Sequence, residues 1–115
     1  MGQAAREGAG RLANSGGPPR LKLGPDAVAS ALRSVPDWRR NGDAICRTFV
    51  FKDFPAAMKF VEAVAGIAER EWHHPDILVQ WNKVTLTLTT HDAGGLTDRD
   101  FALASMFDLS ANERQ

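Results

Sequence analysis

The chain has 115 residues, a length that fits one domain, and its 14 basic side chains balance 14 acidic ones. Without a net charge it has no overall field to attract nucleic acid or a membrane surface, so neither is an expected partner. A single cysteine excludes a disulfide framework and fits a reducing compartment, which we take to be the cytoplasm.

Residues 1–20 are rich in glycine, alanine and arginine and close on Ser15-Gly16-Gly17-Pro18-Pro19. Such a composition buries too little apolar surface to order itself, so we expect a flexible N-terminal tail followed by one domain over residues 21–115. Because the tail is basic and poor in acidic residues, targeting to a mitochondrion or another organelle is the alternative to a cytoplasmic location.

The domain begins with alternating helix and strand signals. Gly24-Pro25-Asp26 is typical of a helix start, and Pro36 ends the predicted helix. A short strand near Trp38–Arg40 then leads through the turn dipeptide Asn41-Gly42 into a strand over Ile45–Lys52.

A longer helix follows, with Asp53 as its predicted N-cap. The apolar stripe expected to pack on the core consists of Phe54, Ala57, Met58, Val61, Val64, Ala65 and Ala68. A second apolar stripe consists of Ala56, Phe60, Ala63 and Ile67. A helix that is apolar on two faces has more surface to bury than one sheet covers. We therefore expect the second stripe to meet another subunit, in a homodimer or homotetramer formed through helix 54–68 and the sheet edge.

Two alternating runs predict a hairpin: Ile77, Val79 and Trp81, then, after an Asn82-Lys83 turn, Val84, Leu86 and Leu88. Gly94-Gly95 breaks the second strand, and Thr97 with Asp100 forms a capping box that starts the last helix. The order helix, strand, strand, helix, strand, strand, helix predicts an α+β fold. It has two layers, a four-stranded antiparallel sheet and about three helices packed on one face.

All three histidines lie at the two ends of this hairpin, His73 and His74 before it and His91 after it. The unperturbed pKa of histidine lies close to neutral pH, so the three rings are candidates for one proton-transfer site. Neighbouring residues in an extended chain point to opposite sides, so one of the His73 and His74 rings can face a cleft while the other lies against its wall. Pro75 favours an extended conformation at His74 and stiffens the placement of that residue. By parity with the threonines of the strand, His91 should point away from the hydrophobic core.

Two alternatives concern the same residues. Three histidines could be zinc ligands, but adjacent histidines seldom bind one metal from an extended chain, and no His-x-His spacing occurs, so we predict no metal site. Asp100 either caps the last helix or orients a nearby histidine through its carboxylate; the two roles are compatible, and capping is expected to be the main one.

Several separated blocks, in order, resemble the pterin-4a-carbinolamine dehydratase family. They are Phe49-x-Phe51-Lys52-Asp53-Phe54, Ala68-Glu69, His73-His74-Pro75, Trp81-Asn82-Lys83-Val84, Thr89 to Thr97, Asp100 and Ala104. The likeness covers about residues 25–109. Trp72 departs from it, standing where the family commonly has Asn or Asp, and Trp81 stands where Tyr is common.

The resemblance implies dehydration of 4a-hydroxytetrahydropterin (4a-hydroxytetrahydrobiopterin), left by an aromatic amino-acid hydroxylase, to quinonoid dihydropterin and water, with no metal or organic cofactor. It carries the catalytic roles to His73, His74 and His91. His73 and His91 are the expected proton-transfer groups, one as general acid and one as general base, with His74 mainly for binding. The implied pterin site consists of His73, His74, Pro75, Thr90, His91, Asp92, Ala93 and Asp100.

The family also suggests the alternative function. Some animal members serve as a dimerisation cofactor for a homeodomain transcription factor. A non-catalytic binding module, with the dehydratase site vestigial, is therefore the second hypothesis for this chain.

Overall fold

The computed structural model describes residues 21–115, so the expected flexible tail over residues 1–20 lies outside the described residues. The helices are α1 (Pro25–Leu32), α2 (Phe54–Glu71) and α3 (Asp98–Asn112), and a 3-10 helix, His91–Ala93, precedes α3. The strands are β1 (Arg39–Asn41), β2 (Ala44–Val50), β3 (Asp76–Gln80) and β4 (Lys83–Leu88). Helices and strands follow one another in the predicted order.

The four strands form one antiparallel sheet in the order β1-β2-β4-β3. Two hairpins, β1–β2 and β3–β4, join where β2 pairs with β4 from Ile45 opposite Leu88 to Val50 opposite Lys83. One face of the sheet is buried, with Val84, Leu86 and Leu88 inaccessible to solvent. The predicted two-layer α+β fold is confirmed, because alternating apolar residues of the two central strands, β2 and β4, are buried on one face of the sheet.

Helix α2 buries parts of both predicted stripes, because Ala57, Val64 and Ala68 of the predicted core stripe are buried together with Phe60 of the second stripe. Phe60 is fully buried, and its ring centroid lies 4.8 Å from that of Phe49 and 5.0 Å from that of Phe51. The prediction that Phe60 lies on a stripe facing another subunit is therefore wrong. Phe54 and Ala65, both assigned to the core stripe, are exposed. Phe54 carries the same ring and is exposed, so the contacts of Phe60 with Phe49 and Phe51, and not ring size alone, decide which face of the helix turns inward.

The helix ends follow their local signals. Asp53 caps α2 as predicted, since its carboxylate accepts a hydrogen bond from the Ala56 amide at 2.9 Å. Helix α1 stops earlier than predicted, at Leu32, and a turn carries the chain to Pro36. Among residues 21–115, no helix is both long enough and apolar enough to cross a membrane.

The β3–β4 hairpin is shifted by one residue from its predicted turn. Gln80 pairs with Lys83, so Trp81 and Asn82 form the turn and Lys83 already belongs to β4. Trp81 has a positive φ of 53° and its side chain is exposed. The predicted Asn82-Lys83 turn was wrong because an alternating pattern gave Trp81 to the strand, whereas a two-residue hairpin needs positive φ at its first turn position here.

Strand β4 ends at Leu88, earlier than the expected break at Gly94-Gly95. Beyond it, Thr90 and Gly95 exchange two backbone hydrogen bonds of 3.1 and 3.3 Å and close a small loop that contains the 3-10 helix. Gly94 has a φ of 75°, a conformation that favours glycine, so this residue lets the loop turn back. The loop places His91 at the end of the sheet next to the start of α3.

Candidate active site

A fully buried carboxylate, that of Asp100 in the first turn of α3, lies at the centre of the site. Its Oδ1 lies 2.7 Å from Nε2 of His73. Its Oδ2 accepts hydrogen bonds from the Thr90 hydroxyl at 2.8 Å and from the Thr97 amide at 2.9 Å. A charge this deeply buried is tolerated only when it is hydrogen-bonded, and all three partners can donate to it.

This network assigns the tautomer of His73. An ionised carboxylate only accepts hydrogen bonds, so the Nε2 atom that faces Asp100 carries a proton. In the neutral ring the other nitrogen, Nδ1, then holds a lone pair. No described residue hydrogen-bonds to Nδ1 of His73. The ring can therefore take up a proton on Nδ1 while Asp100 stabilises the resulting imidazolium.

Two threonine hydroxyls extend the network. The Oγ1 atoms of Thr90 and Thr97 lie 2.9 Å apart. Since Thr90 gives its proton to Asp100, Thr97 donates to Thr90, and Thr97 Oγ1 in turn accepts from the Arg99 amide at 3.3 Å. Both threonines are buried, and the hydroxyl of Thr90, a residue of the predicted pterin site, donates to Asp100.

The capping box and the histidine contact belong to the same carboxylate. The predicted box over Thr97 and Asp100 is present, and Asp100 also holds the ring of His73. The two roles weighed for Asp100 from the sequence therefore occur together, one on each oxygen. The capping hydrogen bond restrains the Asp100 carboxylate, and the contact of that carboxylate with Nε2 in turn restrains the His73 ring.

His73 and His74 lie in different environments, as expected for neighbours in an extended chain. The side chain of His73 is 10% exposed, whereas that of His74 is 51% exposed. Nε2 of His74 lies 2.6 Å from a carboxylate oxygen of Glu69. The indole of Trp72 meets the His74 ring edge-on, with 5.4 Å between centroids. Because the His74–Glu69 pair is exposed, it contributes little to stability.

His91 is the first residue of the 3-10 helix and is exposed, so it points away from the core as predicted. Within residues 21–115 its ring makes no hydrogen bond, which leaves it accessible to a ligand. The preceding residue, Thr90, binds the same carboxylate as His73. His91 is therefore linked to His73 through Thr90 and the shared Asp100 carboxylate. In the same 3-10 helix, Asp92 is exposed and Ala93 is half-buried.

The hydrogen bonds thus join His73, Thr90 and Asp100 directly and place His74 and His91 one residue from that network. Sequence reasoning missed Arg99, whose guanidinium contacts the end of α2, because arginine–carbonyl pairs have no sequence signature. Glu69 could be found only by its distance of about one helical turn from the histidines. No group of three or more His, Cys, Asp or Glu side chains suited to a metal ion occurs among the described residues.

Comparison with known sequences agrees with these features. The family described as pterin 4 alpha carbinolamine dehydratase matches residues 21–109. A protein of Thermomicrobium roseum is 54% identical over 83 residues, and one of Nocardia farcinica is 52% identical over 86. The matches cover 72% and 75% of this chain and 89% and 90% of those proteins, whose names assign them provisionally to pterin-4-alpha-carbinolamine dehydratase.

Two solved structures share the fold. A transcriptional coactivator/pterin dehydratase from Brucella melitensis superposes with a TM-score of 0.75 at 35% identity, covering 78% of this chain and 98% of that one. A pterin dehydratase-like protein described as a RuBisCO assembly factor in the alpha-carboxysome has a TM-score of 0.57 at 26% identity, covering 65% and 89%. The family match over residues 21–109 and these relatives show that the chain belongs to the pterin-4a-carbinolamine dehydratase family.

Proposed function

We propose that the protein dehydrates a 4a-hydroxytetrahydropterin, 4a-hydroxytetrahydrobiopterin in the first instance, to the quinonoid dihydropterin and water. The observation that carries the proposal is the buried Asp100 carboxylate at 2.7 Å from Nε2 of His73. A histidine backed by a buried carboxylate is held in one tautomer and is stabilised when it becomes protonated. Family membership supports the substrate class, and the imidazole rings of His73 and His91 are the groups proposed to transfer the protons.

The reaction requires two proton transfers. The bond between C4a and its hydroxyl oxygen breaks, a proton is added to that oxygen so that water leaves, and the proton on N5 is lost as the N5=C4a double bond forms. In our proposal His73 is the general base, because Nδ1 is its acceptor and Asp100 stabilises the imidazolium. His91, exposed at the loop, is the general acid that protonates the departing hydroxyl.

His74 has the binding role in this proposal. Its Nε2 is engaged by Glu69, and the Trp72 indole lies against its ring, so the ring is oriented by two neighbours while half of its side chain remains exposed. An exposed, oriented ring next to the base suits contact with a flat heterocycle.

The role in the cell follows from the substrate. The 4a-hydroxytetrahydropterin is the product of an aromatic amino-acid hydroxylase turnover, so the protein would act in recycling and maintaining the tetrahydropterin cofactor. The reaction as proposed needs no metal or organic cofactor of its own. We place it in the cytoplasm, with an organelle addressed by residues 1–20 as the alternative.

We further propose that the partner of this chain is a second copy of itself. On α2, Phe54 and Ala65 are exposed and Met58 and Val61 are half-buried. Together they form an apolar stripe that borders the core face, since Val61 also packs against the core. At the sheet edge, β3 exposes Ile77 and Leu78 at 39% and 53%. The opposite edge, β1, has three residues and includes Arg39 and Arg40, which disfavour pairing with another strand.

The catalytic proposal is tested by following quinonoid absorbance after the wild type is mixed with freshly generated 4a-hydroxytetrahydropterin. We expect acceleration by the wild type and a loss on the order of 10²-fold in kcat for His73→Ala and for His91→Ala. His74→Ala, the matched control at the neighbouring histidine, should act mainly on KM. A folded wild type that does not accelerate the reaction would remove the catalytic proposal.

That negative outcome would favour the second candidate, a non-catalytic binding module or dimerisation cofactor for a transcription factor. The relatives with solved structures are described as a transcriptional coactivator/pterin dehydratase and as a RuBisCO assembly factor, so binding roles are named on this fold. The exposed stripe on α2 would then be the surface to probe with partner proteins. The intact His73–Asp100 contact makes catalysis the proposal that we favour.

A further inference from the structure

The residue directly before His73 adopts an unusual backbone conformation. Trp72 ends α2 with φ 53° and ψ 47°, in the left-handed region that bulky side chains seldom occupy. This reversal lets the His73 amide return to the Ala68 carbonyl at 3.1 Å, a helix-ending bond that spans five residues. The left-handed conformation of Trp72 therefore fixes the position and direction of the His73 backbone at the end of α2.

One side chain from another element contacts this turn at two points. Nη2 of Arg99 donates to the carbonyl of Glu71 at 2.5 Å and to the carbonyl of Trp72 at 3.0 Å. These carbonyls belong to the last turn of α2, where backbone acceptors have no partner within the helix and the helix dipole is negative. A planar guanidinium that bridges two successive carbonyls stabilises the left-handed arrangement of the peptide between them.

Arg99 directly precedes Asp100 in the first turn of α3. One residue holds the peptide that leads into His73, and the next holds Nε2 of the His73 ring. The backbone and the ring of His73 are thus positioned by two consecutive residues on one rigid helix. The backbone contact also affects His74, whose neighbour Trp72 lies against its ring.

We propose that Arg99 is a positioning residue for His73 and His74: it clamps the left-handed Trp72 turn so that the His73 ring meets Asp100 in the orientation needed for proton transfer. Its consequence for catalysis rests on the proposed dehydration. The structural part, the effect of Arg99 on the His73–Asp100 contact, can be measured without any activity.

The test compares Arg99→Met with Arg70→Met. Arg70 lies in the last turn of α2, is exposed, and is paired with the Glu71 side chain, so its replacement removes a similar charge without affecting the contacts to the Glu71 and Trp72 carbonyls. NMR of protein with ¹⁵N-labelled histidine reports the proton on Nε2 of His73, which a buried hydrogen bond to a carboxylate shifts downfield and protects from exchange. In Arg99→Met we expect this signal to move or broaden and kcat to fall about 10- to 100-fold. Arg70→Met should resemble the wild type in both measurements.

A second pair of variants separates positioning from general damage. Asparagine adopts the left-handed region more readily than tryptophan, so Trp72→Asn should make the turn less dependent on Arg99. We expect the cost of Arg99→Met to shrink at least about threefold in the Trp72→Asn background. This comparison also serves if Arg99→Met is too unstable to study by itself, with Arg99→Gln, which keeps one donor, replacing it in both backgrounds.

The outcomes distinguish the two proposals. A normal Nε2 signal and a normal rate in Arg99→Met, or an equal cost in both backgrounds, would overturn the positioning role. A disturbed Nε2 signal in a protein whose wild type has no dehydratase activity would support the positioning role and reject the proposed reaction.

Discussion

At the scale of single residues, Asp100 is the side chain on which the site depends. Each of its oxygens has a separate role: Oδ2 accepts from the Thr97 amide and the Thr90 hydroxyl, and Oδ1 faces His73. The Thr97 amide can only donate, so replacing the acceptor Oδ2 by a donor would remove this hydrogen bond. This asymmetry gives a direct test of the tautomer assigned to His73.

We predict that Asp100→Asn reverses the tautomer of His73. The amide oxygen of Asn must remain at the Thr97 amide, which leaves the NH2 group facing Nε2 of His73. A donor at that position favours the ring with its proton on Nδ1, which then cannot act as a base. We expect a loss of about 10²-fold or more in kcat with the fold retained.

The readout is ¹⁵N NMR of the histidine rings together with the dehydration rate. Asp108→Asn is a suitable control, because Asp108 is also a carboxylate of α3 but pairs with Arg47 at 2.6 Å and with Trp38 at 2.8 Å, outside the histidine site. If Asp100→Asn keeps the proton on Nε2 of His73, the donor and acceptor assignments in this network are incorrect.

At the scale of elements, sequence patterns predicted the strands better than the faces of the helices. Alternation identified the buried side of β4 directly, because a strand has only two sides. Helix α2 has apolar residues around most of its circumference, so the choice of Phe60 for the core depended on the rings of Phe49 and Phe51, which only the tertiary structure brings close.

In the site too, local sequence signals predicted some features, whereas others depend on tertiary contacts. The histidines and Asp100 could be identified from residue type, spacing and family likeness, and the capping box was a local signal. The Arg99 contacts could not be predicted, because they join residues 27 and 28 positions apart through backbone carbonyls, which carry no side-chain signature. The shifted Trp81 turn was also beyond the pattern, since a bulky residue with positive φ contradicts local preference.

We predict a large difference between two phenylalanine variants of α2. Phe60→Ala removes a fully buried ring and should lower the free energy of unfolding by about 3–5 kcal/mol. Phe54→Ala, the matched control, changes a ring that is 47% exposed and should cost much less. Urea denaturation at a protein concentration low enough to minimise association measures both values. Similar costs for the two variants would contradict the assignment of the buried face.

At the scale of the whole molecule, the two edge strands of the sheet differ in how well they could bind a second copy of the chain. Strand β3 exposes Ile77 and Leu78 along an unpaired edge, whereas β1 is short and includes two arginines. The α2 stripe of Phe54, Met58, Val61 and Ala65 is a second apolar surface on another layer. Two self-complementary surfaces on one chain generate a closed tetramer when both are used and a dimer when one is used.

We predict that Ala65→Arg converts a tetramer of this chain into dimers. Ala65 is exposed in the single chain, so the arginine can be accommodated without disturbing the core, but it places a charge in the middle of any contact made through the α2 stripe. Sedimentation velocity should show the mass halved, with the remaining dimer held through β3. Ser105→Arg, at an exposed position of α3, is the control and should leave the mass unchanged. A tetramer that survives Ala65→Arg would mean that copies do not meet through this stripe, whereas a monomeric wild type would contradict both surfaces.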